Sequence, residues 1–591
     1  MAKADAKITH AAKATNESIA EILREIGEYL AMQEIPFKPR AYEKAALAIA
    51  ESEIDVADEY AKGGIKALLE IPAVGASIAE KIEEFIKTGK VEYYEKLKKR
   101  TPVDLESLSR VEGLGPRSVK KLYQKLDVRN LEDLEAAAKA GKIAKLAGFG
   151  PRSQEKILKS IGFATSSSNQ RFILGYMLPQ IRKIQAHLEA VPGAQKVTVA
   201  GSARRKKDTI GDVDILAIAK DPVAMMKSFV VMPDVVNVIA HGETKSSVKL
   251  RSGVNVDLRV VPKASYGAAL NYFTGSKDHN VALRRIAVAK KWKLNEYGLF
   301  SISGSEKKIG GETEEDLYKK FGMDYIEPEL RENTGELEAA REHKLPKLIG
   351  YKDLEGDLQV QTSWTDGAET IEQMAEAALK QGLKYIVITD HTKRLAMAHG
   401  LDEKRITEQM KEIDKLNKKF SGKIRILKGS ECDILKDGTL DLPDSILEKL
   451  DVVGVSVHSH FTLPRAEQTA RVIRAISNPN ADIFFHPTGR IINRREPIDI
   501  DVDEVIKVAK KTGTVMEVNS FPERSDLKDE YIRKCVDAGV KLSIDSDAHS
   551  SRHYAFLEFG IAQARRGWAE RKDVINAWPV EKMLKCLKGA K

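Results

Sequence analysis

The sequence predicts a multidomain protein of mixed α+β and α/β class, and three observations carry that prediction. Its 591 residues exceed what one hydrophobic core accommodates. The first 165 residues show helical apolar spacing interrupted by short glycine turns. From residue 356 onward, short apolar strands alternate with amphipathic helices. We therefore expect an N-terminal helical part, a central mixed sheet and a C-terminal distorted α/β barrel.

Composition narrows the class of protein. The chain carries 96 Lys and Arg against 87 Asp and Glu, a net charge of +9 that is compatible with nucleic acid without indicating it. Cys432, Cys535 and Cys586 are scattered, which predicts a reducing compartment and no disulfide framework. The sequence shows neither a signal peptide nor an apolar run that could span a membrane. We expect a cytoplasmic monomer with no membrane partner.

Glycine turns between helices recur in the N-terminal part. The first follows Ile71 and precedes the amphipathic stretch 78–86, and two further turns continue as Gly-Pro-Arg-Ser. This is a helix-hairpin-helix pattern, in which backbone amides at a helix N-terminus hold a DNA phosphate. Binding of this kind is sequence-independent and salt-sensitive. The glycines predicted to contact DNA are Gly75, Gly113, Gly115, Gly148 and Gly150.

The central part contains a turn followed by paired carboxylates. An apolar strand leads into Gly201-Ser202, a basic cluster follows, and then comes Gly211-Asp212-Val-Asp214. Because side chains alternate along a strand, Asp212 and Asp214 share one face. Two carboxylates on one face suit Mg²⁺, and a Gly-Ser turn beside cations suits phosphates. A solvated surface hairpin is the alternative, and the ordered occurrence of all three features disfavours it.

A third carboxylate is expected downstream and is present as Asp257. It lies in the alternating segment 254–261, whose apolar residues form one face and whose polar residues form the other. Three convergent carboxylates can hold two metal ions about 3.5–4 Å apart, the arrangement for in-line nucleotidyl transfer.

The segment from Gly201 to Asp214, together with Asp257, resembles the palm of family-X DNA polymerases, the family of DNA polymerase β. The segments 272–276 and 294–298 resemble the family's nucleotide-binding subdomain. This resemblance implies Mg²⁺ or Mn²⁺ at the three carboxylates. It also implies gapped or primed DNA and dNTPs as binding partners.

The resemblance implies further contacts by position. Ordinary core packing is the alternative for the aromatic pair at 272–273. Lys206 stands where glycine is common in the family. Arg259 and Arg284 would contact DNA. The implied nucleotide contacts are Gly201, Ser202, Arg205, Gly211, Tyr272, Phe273, Gly275 and Asn280.

Lys81 lies at the edge of an apolar helix face in the first hairpin unit. A lysine in such a place ordinarily extends along the rim of the core. The resemblance instead implies a Schiff-base nucleophile that attacks an abasic sugar, with Lys38 and Tyr42 on the side of the 5′-phosphate. Ser77 departs from the polymerase β pattern, which has lysine there.

In the C-terminal part, apolar strands repeatedly end in His, Asp or Glu. In an α/β barrel these strand ends meet at one face and form the site there. These residue types are metal ligands. The strand ends resemble the PHP (polymerase and histidinol phosphatase) domain of bacterial and archaeal family-X polymerases. Members of that domain family bind up to three metals and hydrolyse phosphoesters, and in polymerases they can act as 3′–5′ exonucleases.

The PHP resemblance implies metal ligands residue by residue, with Zn²⁺ or Mn²⁺ as the metal. One metal would be held by Glu431, His458 and His486, with Glu431 bridging. A second would be held by Asp366, His391 and His549, and Asp547 would contribute to the remaining position.

The chain departs from the PHP pattern at Gln359 and Gln361, where the family has histidines. Glutamine offers only a neutral amide oxygen, a poor replacement for imidazole. We therefore expect one metal to bind weakly or not at all, and the nuclease to be reduced or absent. His399 and His460 lie near enough in sequence to compensate.

The leading hypothesis is gap-filling, DNA-templated DNA synthesis in base-excision repair, with 5′-dRP/AP lyase activity. An enzymatic alternative is a 3′-end-processing nuclease or phosphoesterase, and a non-catalytic alternative is a scaffold that bridges gapped DNA. The predicted domains are a lyase-like helical domain (1–95), a helical DNA-binding domain (96–165), the palm (166–262), the nucleotide-binding subdomain (263–330), a linker (331–352) and the PHP barrel (353–585).

Overall fold

The computed structural model describes residues 16–589. Gaps in the described residues are 34, 51, 53–54, 72, 110, 112–113, 152, 156, 159–160, 162–170 and 304. Gly113, a predicted DNA contact, lies outside the described residues. The chain forms two compact units, residues 1–170 with 493–495, and residues 171–492 with 496–591.

The first unit is helical. Apolar residues of its first helix, among them Ile19, Leu23, Ile26 and Leu30, are buried at the spacing that the sequence predicts. Its helices are α1 (Asn16–Met32), α2 (Lys38–Ala50), α3 (Val56–Gly63), α4 (Ile65–Leu69), α5 (Ala76–Thr88), α6 (Glu92–Arg100), α7 (Leu105–Ser109), α8 (Pro116–Leu126) and α9 (Leu131–Lys139).

The second unit begins with a mixed five-stranded sheet, here called the palm sheet. Its order is β2-β4-β7-β6-β5, with β4 and β7 parallel and the other neighbours antiparallel. The elements are β1 (Phe172–Ile173), α10 (Leu174–Glu189), β2 (Ala194–Val199), α11 (Gly201–Arg204), β3 (Thr209–Ile210), β4 (Asp212–Ala219), α12 (Pro222–Val230), β5 (Val235–His241), β6 (Lys245–Leu250) and β7 (Asn255–Val260).

A smaller antiparallel sheet of order β10-β9-β8 follows. Its elements are α13 (Tyr266–Thr274), α14 (Lys277–Ala289), β8 (Trp292–Asn295), β9 (Gly298–Ser301), β10 (Lys307–Gly310), α15 (Glu314–Phe321) and α16 (Glu336–Arg341). Residues 331–352, which the sequence predicts as a partly helical linker, include α16. Leu337 and Ala340 pack in the core of this subdomain, and Ile349 packs in the core of the C-terminal barrel. Arg331 and Glu336 are fully buried, because each pairs with an opposite charge or an imidazole of this subdomain.

The rest of the second unit is a parallel seven-stranded barrel in sequential order, β11 to β17. A parallel bridge between Val360 and Ala548 connects its first and last strands and nearly closes it. The strands are β11 (Gly356–Val360), β12 (Tyr385–Ile388), β13 (Arg425–Asp433), β14 (Val452–Ser456), β15 (Ile483–Phe484), β16 (Val515–Asn519) and β17 (Leu542–Asp545). The helices are α17 (Ile371–Lys380), α18 (Glu403–Lys419), α19 (Asp444–Leu447), α20 (Arg465–Ile476), α21 (Val502–Thr512), α22 (Asp529–Ala538), α23 (Leu557–Arg566) and α24 (Val580–Gly589).

A buried carboxylate joins the palm sheet to the smaller sheet. Glu314 accepts hydrogen bonds from Arg204 at 2.6 and 2.9 Å and from Arg331 Nη1 at 2.5 Å. Burial alone would raise the pKa of Glu314, but the two guanidinium groups outweigh burial and lower the pKa to about 2.

We expect the variant Glu314→Gln to lose about 3–5 kcal/mol of stability at pH 7, because it leaves Arg331 buried without a counter-charge. A carboxylate with a depressed pKa stabilises the fold above its unfolded pKa, and this stabilisation is lost as the pH falls toward its folded pKa. Denaturation should therefore show the difference from wild type narrowing between about pH 4.5 and pH 2.

The matched control is Glu306→Gln, which neutralises a half-exposed carboxylate paired with Lys293 at 3.1 Å in the same subdomain. It should cost about 0–1 kcal/mol. Equal losses for the two variants would contradict the importance of the buried cluster.

Candidate functional site

The palm carboxylates lie on adjacent strands. In the parallel β4–β7 register, Asp214 stands directly opposite Asp257, and Asp212 stands opposite Asn255. Their apolar neighbours Val213 and Val256 are buried on the other face. Because residues that are paired across parallel strands point to the same face, the sheet itself brings the three carboxylates together.

Burial and the neighbouring carboxylates disfavour the negative charge of Asp214. Burial, together with the charges of Asp212 and Asp257, raises the pKa of Asp214 to about 6. Arg259 and Arg205 counteract this only in part. A converging set of hard oxygen donors with uncompensated negative charge fits Mg²⁺ or Mn²⁺.

Gly201 closes the turn beside these carboxylates. Its φ is +62°, and a Cβ built there would lie 2.7 Å from Asp214 Oδ2, so a side chain is excluded for two reasons. The preceding residue is fixed to β4, since Ala200 N donates to Asp214 O at 2.7 Å. Ser202 is therefore held next to the carboxylate face. Gly211, the other predicted glycine, is exposed immediately before β4.

Arg205 is positioned by groups that the sequence did not reveal. Its Nε donates to Glu332 at 2.9 Å, and its Nη1 donates to the carbonyl of Thr274. A Cβ on Gly275, whose φ is +69°, would lie 3.0 Å from Arg205 Nη1. The structure thus brings Arg205 and Gly275 together, and Glu332 balances the charge.

The other predicted nucleotide and DNA contacts line the same region. Tyr272 is 38% exposed, and Phe273 packs beneath the guanidinium of Arg259 at 4.5 Å. Asn280 Nδ2 donates to Tyr272 O at 2.7 Å, and Arg284 Nε donates to Asn280 O at 3.3 Å. Asn280 is thereby held within α14 and against the end of α13.

Lys81 sits in a small polar pocket of the first unit. Its Nζ donates to Ser77 O at 2.9 Å and to Ser77 Oγ at 3.0 Å, and it lies 5.0 Å from the ring of Tyr93. Burial and the nearby charge of Lys38 lower the pKa of Lys81, against the opposing effect of two glutamates. Tyr42 is buried near Ser77. The surroundings of Lys81 therefore make its ammonium group easier to deprotonate than that of an exposed lysine.

The described hairpin glycines lie at helix starts. Gly75 is the N-cap of α5 and Gly115 is the N-cap of α8, both with extended backbone and no capping side chain. Gly148 has a φ of +85°, and Gly150 directly precedes the helical residue Pro151. The first backbone amides of α5 and α8 lack intrahelical partners, as phosphate binding by amides requires.

Two groups of metal-ligand type meet at the carboxyl ends of the barrel strands. One consists of Asp366, His391 and His549, and the other of His391, Glu431 and His458, each with its ligand atoms within 4.8 Å of one another. Glu431 lies at the centre, with Oε1 2.8 Å from His486 Nε2 and 3.0 Å from His458 Nε2. The structure thus brings together six of the seven predicted ligands.

The charges of the barrel site and its unpaired ligand atoms both suit cations. Asp366 Oδ1 and His391 Nδ1 are buried without a hydrogen-bond partner among the described residues. Burial opposes protonation of His458, yet the negative charges of Glu431 and Asp433 raise its pKa to about 9. Imidazole and carboxylate donors with free lone pairs fit Zn²⁺ or Mn²⁺.

The seventh predicted ligand, Asp547, lies among N–H donors. Its Oδ2 faces Arg524 Nε at 3.3 Å and accepts from Asn519 Nδ2 at 3.2 Å. Gln361 Nε2 donates to Glu431 Oε2 at 2.8 Å, and Gln359 Oε1 accepts from Asn519 at 3.0 Å. These donors engage Asp547 Oδ2 and Glu431 Oε2, whereas Gln361 Oε1 is buried without a hydrogen-bond partner among the described residues. The amide oxygens of Gln359 and Gln361 are weaker metal ligands than imidazole, so the residues here fit a third metal poorly.

Sequence reasoning missed Asn519 and Arg524, because neither is a metal ligand by type. His399 and His460, the two residues considered as replacements, are exposed and belong to neither ligand group. Within the described part of the chain, none of the helices combines the length and apolar character that crossing a bilayer requires.

Comparisons with known proteins agree with this architecture. Family models match residues 14–91 (helix-hairpin-helix domain), 105–162 (SAM-like helix-hairpin-helix tandem), 269–332 (DNA polymerase beta thumb) and 357–576 (PHP domain). Over the barrel, a probable phosphatase of Thermoanaerobacter sp. (strain X514) is 34% identical across 217 residues, 35% of this chain and 83% of that protein. A probable phosphatase of Acetivibrio thermocellus is 33% identical across 190 residues, 31% of this chain and 73% of its own.

One relative covers nearly the whole chain. It is the DNA polymerase/3′-5′ exonuclease PolX of Bacillus subtilis (strain 168), 38% identical over 564 residues, 95% of this chain and 97% of the relative. The resemblance seen in the palm motif and in the barrel strand ends is thereby confirmed. The chain belongs to the PolX family, the family-X DNA polymerases that carry a C-terminal PHP domain.

Proposed function

We propose that this protein is a DNA-templated DNA polymerase that fills short gaps during base-excision repair. The single observation that carries the proposal is the placement of Asp214 opposite Asp257 on parallel strands, with Asp212 two residues earlier. The similarity to PolX supports it. Gapped or primed DNA and dNTPs are the substrates, and the expected state is a cytoplasmic monomer.

The palm residues would act as follows. Asp212, Asp214 and Asp257 would hold Mg²⁺ or Mn²⁺. When bound, such ions lower the pKa of an attacking hydroxyl and neutralise phosphate charge. Ser202 and Arg205 would bind the triphosphate, and Glu332 keeps the Arg205 guanidinium extended toward Gly275. The Tyr272–Phe273 edge would contact the sugar of the nucleotide, and Arg259 and Arg284 would contact DNA.

Asp257→Asn tests the palm assignment. We expect primer extension on a gapped duplex to fall about 10³-fold, because one carboxylate of the metal site is lost. DNA affinity should stay unchanged. The measurement is extension of a 5′-labelled primer with Mn²⁺, without and then with dNTPs, beside fluorescence anisotropy for DNA binding.

The matched control is Glu243→Gln, an exposed carboxylate in the β5–β6 turn. It should extend the primer as wild type does. Wild-type protein that binds DNA but never extends it would favour the scaffold alternative. Extension by Asp257→Asn at the wild-type rate would contradict the assignment.

For the barrel, we propose two metal positions and a reduced 3′–5′ exonuclease. Glu431, His391, His458 and His486, together with Asp366 and His549, would hold Zn²⁺ or Mn²⁺. The support is the coverage of Asp547 and Glu431 by N–H donors. A fully active 3′-end nuclease is the alternative. The names of the PolX and phosphatase relatives support it.

The double variant Gln359→His/Gln361→His tests this proposal. Two imidazoles in place of amides should allow one additional equivalent of Mn²⁺ to be retained after dialysis, measured by elemental analysis. Shortening of a 5′-labelled single strand without dNTPs should accelerate about tenfold or more.

Gln381→His is the matched control, since Gln381 is exposed at the end of α17. It should change neither metal content nor nuclease rate. If wild type already shortens the strand as fast as the double variant, the glutamines do not weaken the barrel.

We also propose a 5′-dRP/AP lyase activity at Lys81. Its support is a half-buried amine with a lowered pKa beside Lys38 and Tyr42. Lys81→Met should abolish borohydride trapping of the protein on DNA with a 5′ abasic sugar. Because the pKa of Lys81 is lowered, wild-type trapping should reach its plateau at a lower pH than an ordinary lysine would give.

Lys87→Met removes another lysine of α5, one that is paired with Glu83 at 2.8 Å. This control should trap like wild type. Trapping that survives Lys81→Met at full level would place the nucleophile elsewhere.

A further inference from the structure

The basic loop of the palm, residues 205–208, lies between α11 and β3 and contacts the barrel within the second unit. This loop carries Arg205, the proposed triphosphate ligand. The barrel side of the contact consists of α23 and the loops that follow β15 and β16. Neither the family models nor the relatives assign a role to this contact.

Lys206 turns away from the palm carboxylates. Its φ is +54°, a left-handed conformation that non-glycine residues adopt only uncommonly. The Lys206 side chain contacts the barrel, where Nζ pairs with Glu558 Oε1 at 2.7 Å. Glu558 Oε2 also accepts from Arg182 of α10 at 2.6 Å. One barrel carboxylate therefore holds two palm cations.

The loop backbone is held as well. Arg566, whose side chain is 1% exposed, donates from Nη1 to the carbonyl of Lys206 at 2.6 Å. Its Nε and Nη2 donate to Asp529 at 2.9 and 2.7 Å, which fixes the guanidinium plane. Lys207 Nζ lies 3.6 Å from the same carboxylate. Charge-assisted hydrogen bonds with both partners fixed are the strong kind.

The far end of the loop has a third anchor. Arg490 Nη2 donates to Asp208 Oδ2 at 3.0 Å, while its Nε donates to Arg524 O at 2.8 Å. Burial would raise the pKa of Asp208, but Arg490, Arg566 and Lys207 together lower it, so the carboxylate stays charged. Asp208 O in turn accepts from Leu174 N at 3.0 Å.

Close apolar packing surrounds these polar contacts. A Cβ added at Gly175 of α10 would lie 2.5 Å from Pro522 Cβ and 3.2 Å from Phe559. Phe559 packs against the palm core. Because the side chains of Lys206 and Glu558 are partly buried, salt screens their pair less than it screens a fully exposed one.

From these contacts we infer that Glu558, Arg566 and Arg490 of the barrel are positioning residues for the triphosphate-binding loop of the palm. The inference rests on the proposed polymerase function. The barrel holds Lys206, Lys207 and Asp208, and this leaves Arg205, between Gly201 and Lys206, pointing to Gly275. The barrel thus acts on dNTP binding through the loop, independently of its own metal groups.

The test is single-nucleotide gap filling by the full chain with Glu558→Gln. Misplacing a binding group by about 1 Å can cost up to about 100-fold. We expect the KM for dNTP to rise about tenfold while kcat changes less than about twofold. Amide exchange of residues 205–208 should accelerate in the same variant.

Lys206→Met removes the palm partner of the same ion pair. It tests the inference even where Glu558→Gln fails to fold. It should raise the KM by a similar factor. The double variant should not multiply the two effects, because each single change removes the same pair. A multiplied effect would show that the two residues act separately and would overturn the inference.

Asp503→Asn supplies the matched control. It neutralises an exposed barrel carboxylate, paired with Lys534 at 2.7 Å, and its KM should remain within about twofold of wild type. A KM within about twofold of wild type for both Glu558→Gln and Lys206→Met would overturn the inference. Absence of nucleotide incorporation by wild type would instead contradict the proposed function.

Discussion

The parallel pairing of β4 with β7 is the constraint on which the palm site depends. It sets Asp214 against Asp257, two like charges that a fold acquires only at a cost. Burial, with the charges of Asp212 and Asp257, raises the pKa of Asp214, in keeping with that cost. The repulsion is tolerated because Val213 and Val256 pack on the opposite face. The same gathering of carboxylates that is unfavourable without a counter-charge makes the site complementary to divalent cations.

The barrel also buries carboxylates, and it neutralises them in two ways. Around Glu431, imidazoles surround the carboxylate and leave lone pairs for cations. Around Asp547, the guanidinium of Arg524 and the amide of Asn519 satisfy the carboxylate from within the protein. A buried carboxylate must find positive charge or N–H donors, and the chain uses metal-type ligands at one place and internal donors at the other.

Charge also joins the two halves of the second unit. The palm loop could present all its cations to a triphosphate, yet Lys206 faces Glu558 and Lys207 approaches Asp529. Arg205 stays on the nucleotide side, where it pairs with Glu332, and Lys207 Nζ lies between Asp529 and Glu332. A basic run in the sequence is therefore divided between substrate binding and attachment of the barrel.

The sequence by itself determined the fold class and predicted the candidate ligands. Alternation placed Asp212 and Asp214 on one face, and repeated strand ends predicted a barrel with its site at one rim, because both depend only on local periodicity. Only the tertiary structure decided which groups neutralise those ligands. Glu332 lies 127 residues from Arg205, and Glu558 lies 352 residues from Lys206. No local pattern encodes such pairs, since they depend on how distant segments pack.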